Sequence, residues 1–252
     1  MSDGHQQQSR FPPMAISDLL VLTLCVSVAF AFSAGDFQDA FKLYVFKWHE
    51  ILPDFIDLFV YGECLFGLIV LARQLVRKDN SMVAPGHVFL AAISPLQVII
   101  LIGGVFRPFF LANEPSAVHA IDYGVCAVVL ALSLIYPIRT LRKISLPWRV
   151  VTCLLILTLT LDTLECCLDA AANLRWITTF HRGHILTMTG NFDAIMFVSI
   201  GFAVVIDLSR RVQRDWLHYL GVVTLTLHAA SALMHWHRVM ARWWQSLYNH
   251  IV

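Results

Sequence analysis

The chain has 252 residues, 58% of them hydrophobic and only 14% charged, with 18 Lys+Arg against 17 Asp+Glu and a net charge of +1. Its mean hydropathy is +0.69, whereas a soluble domain averages about a quarter charged residues. An ordinary soluble fold is therefore excluded, and the composition is that of a multi-pass membrane protein whose first partner is the lipid bilayer. No basic run points to nucleic acid, and the 6 cysteines contain no CxxC pair of the kind a zinc ribbon or redox motif uses.

Residues 1–12 read as a polar, disordered N-terminal tail, which leaves 13–252 as a single transmembrane helical domain. The first apolar run covers about 13–34. It exceeds the core of about 7–15 residues that a signal peptide uses, so it is read as a retained span. In segment 36–52, Phe37, Phe41, Tyr44, Trp48 and Ile51 recur at helical spacing, with acids and lysines opposite. That pattern predicts an amphipathic helix lying in the membrane interface and closed by Pro53.

Further spans are expected at about 54–76, 87–110, 117–139, 148–171, 186–208 and 216–238. Each is long enough for a hydrocarbon core of about 30 Å. The stretch 239–251, with Met240, Trp243, Trp244, Leu247, Tyr248 and Ile251 on one side, predicts a second interfacial helix. The expected fold is thus an all-α integral membrane protein: a seven-helix transmembrane bundle with interfacial amphipathic helices at 36–52 and 239–251.

Basic residues in short loops set orientation. Arg73, Arg77 and Lys78 lie in loop 72–86, Arg139, Arg142, Lys143 and Arg149 in loop 139–149, and Arg210, Arg211 and Arg214 in loop 209–215. These loops should face the cytoplasm, together with Arg10. The chain then sits in the cell membrane with its N-terminus cytoplasmic and its C-terminus outside. The same orientation gathers most acids and histidines toward the outer halves of the spans, as a polar cup open to the outside.

The densest polar stretch is Leu157 to Ala170, where Asp162, Glu165 and Asp169 fall on one stripe of an otherwise apolar helix. Each ionised acid near the bilayer centre costs about 2.5–3.5 kcal/mol on insertion scales, so the stripe should face protein rather than lipid. On the last span, His228 and His235 share a face, with Ser231 between them. Imidazole and carboxylate are the usual donors for zinc and iron. Asp162, Asp169, His228 and His235 are therefore the candidate metal ligands, between the fifth and seventh spans. Glu165 and Asp193 are the candidate catalytic carboxylates. The expected cofactor is a divalent transition metal, zinc or iron; haem, with His228 facing His119 or His184, is the weaker choice. The alternative is a polar core in which acids and histidines satisfy one another.

Lesser clusters are His119 with Asp122, Tyr123 and Cys126, the lone Glu63, and His181, Arg182 and His184 in the loop 172–186. The last-span histidines are spaced more widely than in the membrane hydrolases related to ceramidases and adiponectin receptors. No lysine follows Lys143, which excludes a last-span retinal Schiff base. Three functions stay open: metal-dependent catalysis at the outer face, cation or proton transport, and a non-catalytic role beside other membrane subunits.

Overall fold

The computed structural model describes the backbone of residues 14–43, 48–77, 84–110, 115–174, 182–212 and 214–251, and the side chains of 14–32, 52–70, 72–73, 84–102, 119–174, 191–212 and 214–237. The expected disordered tail 1–12 lies outside these residues. The described backbone is helical almost throughout. Its elements are α1 (Ile16–Leu43), α2 (Trp48–Arg77), α3 (Pro85–Phe110), α4 (Pro115–Ser133), α5 (Ile135–Thr140), a single 3-10 turn at Leu141–Lys143, α6 (Leu146–Asn173), α7 (Arg182–Ser209) and α8 (Trp216–Ile251).

Five of these helices are long and apolar enough to cross a membrane: Pro85–Ile102, His119–Lys143 (a run that includes α4 and α5), Leu146–Asn173, Asn191–Ser209 and Trp216–His237. The apolar part of α1, Ile16–Phe32, is shorter. The outer surface agrees with a lipid environment. On α4, Ile121, Val125, Val128 and Leu132 form an exposed apolar stripe, and on α7 Val198, Phe202, Val205 and Leu208 form another. Spacings of three and four keep each stripe on one side of its helix. Alternation of helix direction brings the ends of α2 and α7 and the starts of α3, α6 and α8 to one end, called here the basic end.

Helix α3 lies at the centre, packed on α2, α4 and α8, while α8 also closes onto α2 and α7, and α6 bridges α4 to α7. One apolar core runs through α2, α3, α4, α6, α7 and α8, with Phe89, Trp148, Leu155, Met196 and Leu225 at its centre. A smaller core joins Cys25 of α1 to Phe66, Leu90 and Leu217.

Three expected boundaries are corrected. The predicted interfacial helix 36–52 is not a separate unit: α1 continues to Leu43 and α2 begins at Trp48, with Pro53 inside it. Pro53 is the sixth residue of α2, so its missing N–H costs one backbone bond, to the His49 carbonyl, in the second turn of a 30-residue helix. The segment 239–251 is helical, but as the end of α8, which runs for 36 residues. At 1.5 Å per residue α8 is about 54 Å long, so more than two fifths of it, about 24 Å, exceeds a hydrocarbon core of about 30 Å. The expected span 117–139 is broken at Leu134 between α4 and α5. Pro137 explains the break: it has no N–H for the carbonyl of Ser133, and its ring crowds that carbonyl.

Candidate functional site

Polar side chains gather in three places along the bundle. The first is at the basic end, where α3 and α8 begin side by side. Asp215 precedes α8 and accepts the backbone N–H of His218 at 2.7 Å, the geometry of an N-cap. The same oxygen lies 2.9 Å from Nε2 of His87 on α3. The backbone N–H of Gly86 donates to Nδ1 of His218 at 2.9 Å. Since a backbone amide can only donate, that nitrogen of His218 carries no proton. Burial raises the Asp215 pKa, but the His87 hydrogen bond and charge, with the His218 N–H, outweigh it and hold the carboxyl below its ordinary 3.8.

Next to this cap, Trp148 of α6 donates its indole N–H to Asp207 at 2.8 Å and stands edge-on to the His218 ring at 5.2 Å. Arg214 closes the group through Nε on Asp207 at 3.0 Å. These bonds tie the starts of α3, α6 and α8 to the end of α7.

The second cluster lies at the opposite end, between α2 and α8. Asp54 and Asp57, one turn apart on α2, and His235 on α8 each offer a ligand atom, and these atoms lie within 4.8 Å of one another. Nε2 of His235 is 3.1 Å from Oδ2 of Asp57. Two turns below on α8, Nδ1 of His228 meets the side-chain amide of Gln97 on α3 at 3.2 Å, with Asp57 within electrostatic range. Deeper still, Thr224 donates to Glu63 at 2.8 Å. Ser231, buried on the same face of α8, keeps a hydroxyl without a hydrogen-bond partner.

The third cluster is between α6 and α7. Asp162 lies within electrostatic range of Asp193 and Glu165, and Asp193 is 4% exposed. The stripe Asp162, Glu165 and Asp169 turns away from the lipid-side row of Val150, Cys153, Leu157, Thr160, Leu164 and Cys167, which is exposed. Asp169 is buried, and Asp162 and Glu165 are half-buried.

The candidate ligands chosen from sequence thus divide. His228 and His235 turn to α3 and α2, whereas Asp162, Asp169, Glu165 and Asp193 lie along α6 and α7. Helix α8 packs on α2, α3 and α7, and α6 on α4 and α7. Sequence reasoning passed over Asp57 and Gln97 as partners of the histidines. The signal for the first was the i, i+3 pair Asp54 and Asp57 on one helical face; nothing in the sequence singled out Gln97. Of the lesser clusters, His119, Asp122 and Tyr123 are half-buried on α4, and the side chains of His181, Arg182 and His184 lie outside the described residues. Comparison with protein-family profiles, with curated proteins and with solved structures finds no match to this chain.

Proposed function

We propose that this chain is a seven-span protein of the cell membrane that binds a divalent transition metal at its outer end, between α2 and α8. The observation that carries the reading is the convergence of Asp54, Asp57 and His235 within 4.8 Å. Around a tetrahedral zinc, with bonds of about 2.0–2.2 Å, neighbouring donor atoms stand about 3.4 Å apart. The 3.1 Å between Asp57 and His235 is close to that spacing. One imidazole and two carboxylates suit zinc, iron or manganese, and lack the thiolate that would select copper(I) or a cluster. Gln97 holds the second histidine of α8, His228, next to the donor set rather than in it.

Three protein donors leave a coordination position for water. A metal such as zinc lowers the pKa of bound water to about 7, so metal-assisted hydrolysis at the outer surface is the reaction class this reading implies. Binding requires the His235 nitrogen to be free of its proton, so metal and proton compete for it.

The test is metal content of detergent-purified protein after dialysis against micromolar zinc, then manganese. The expected result is about one tightly held equivalent in the wild type and in His228→Ala, and its loss in His235→Ala and Asp57→Asn. A wild type that emerges metal-free, or a His235→Ala variant that keeps its metal, would end the reading.

A further inference from the structure

We infer that Asp162 and Asp193 form an intramembrane proton-binding site between α6 and α7, separate from the α2 and α8 centre and independent of whether a metal binds there. Asp193 is 4% exposed, and its Oδ1 has no hydrogen-bond partner. It lies in the field of Asp162, beside which stands Glu165. Thr158, one turn from Asp162 on the same stripe, is likewise buried with its hydroxyl unpartnered.

A buried carboxylate needs a counter-charge or a proton. The described parts of α6 and α7 offer no counter-charge at this level. Arg149 is the only basic side chain on the described part of α6, more than three turns away near the basic end, and 191–209 on α7 contains none. From the packed neighbours, α8 contains no acid, lysine or arginine between Trp216 and His237. Its histidines His218, His228 and His235 bond Gly86, Gln97 and Asp57. Near Asp162 on α6 stand Cys166 and Asp169, with Cys126 of α4 beside Cys166; these are acids or thiols and add no positive charge. Helix α4 also carries Asp122, Tyr123 and, nearer its start, His119, two turns before Cys126.

A metal ion is the poorer solution. Among the described residues the donor atoms that converge within 4.8 Å in threes are those of Asp54, Asp57 and His235, and the α6 and α7 acids do not converge so. Two like-charged carboxyls in an apolar setting are relieved by one proton held between them as a pair.

The test uses dicyclohexylcarbodiimide, an apolar reagent that reacts with protonated carboxyls. The acid proton passes to a carbodiimide nitrogen, the carboxylate oxygen bonds to the central carbon, and the adduct rearranges to a stable N-acylurea. The full-length protein in lipid vesicles is treated across pH 5 to 8, and adducts are mapped by mass spectrometry. The expected result is modification of Asp193 or Asp162 that falls several-fold as pH rises. In Asp193→Asn, the remaining modification at Asp162 should fall further at a given pH, because its like-charged partner is gone. The wild-type map decides the matter even if that variant does not fold. Absence of an adduct on both residues across the whole range would overturn the inference. So would complete protection by millimolar calcium or manganese at fixed pH, which would make the site a cation site instead.

Discussion

Gly86 and Gly221 face each other across the crossing of α3 and α8, so close that a Cβ built on Gly221 would overlap the carbonyl of Gly86. A Cβ on Gly86 would in turn overlap the backbone of His218. Small residues at helix crossings in membranes let backbones approach, and van der Waals packing then supplies much of the association. Here the approach also brings the Gly86 N–H onto His218. Gly86→Ala and Gly221→Ala should each force the helices apart, costing about 1–3 kcal/mol or more. Gly201→Ala is the control, since a Cβ there meets nothing within 4 Å. Thermal unfolding in detergent should show a large drop for the first two and none for the third; equal behaviour of all three would mean that the crossing is looser than described.

Asp215 predicts an acid limb of stability. Its folded pKa lies below the ordinary 3.8, so its contribution is present above that value and is lost as pH falls through the folded pKa. Asparagine also caps helices well, so Asp215→Asn removes the charge while leaving the cap. Melting temperatures from pH 7 down to 3 should converge for wild type and variant at the acid end, with the wild type higher at neutral pH. A constant gap across that range would show that the charge is not what stabilises the cap.

Trp148 is fully buried, and its indole N–H has Asp207 as acceptor. Asp207→Ala therefore strands a buried donor and releases Arg214 together, at a cost of about 1–3 kcal/mol for the unsatisfied donor alone. Trp148→Phe removes the donor and keeps the ring, and in the Asp207→Ala background it should lose less than it does in the wild type. Additive effects in that double-mutant cycle would argue against the bond.

How much of this was legible in the sequence depends on the range of the interaction. The helices and their apolar sides were readable because period and length are local, and the break at Leu134 could have been read from Pro137. The continuity of α8 was not readable. The aromatic stretch 239–251 has an interfacial composition, but nothing in it ends a helix. The acid stripe of α6 was readable as a stripe, since Asp162, Glu165 and Asp169 follow helical spacing. Its relation to His228 and His235 was not, because neighbour choice between helices depends on which faces meet. That choice is made by close approaches such as Gly86 with Gly221, far apart in the chain. The pairs His235 with Asp57 and His228 with Gln97 are separated by 178 and 131 residues, and no periodicity reports such distances.

Sidedness ties the fold to the proposed centre. The structure places Arg73, Arg142 and Arg214 toward one end of the bundle and Asp57 with His235 toward the other. In the proposed orientation, with the basic loops cytoplasmic, the α2 and α8 cluster opens to the outside. Cysteines introduced at Lys78, Lys143 and Arg210 should then escape an impermeant maleimide in intact cells and react once the membrane is permeabilised. The six native cysteines supply the background, measured on the unmodified chain. Metal held by Asp54, Asp57 and His235 should be stripped from intact cells by an impermeant chelator, without permeabilisation. Labelling of two of the three loop positions in intact cells would reverse the orientation. The chelator would then have to act from the cytoplasmic side, and hydrolysis at the outer surface would no longer be available to this site.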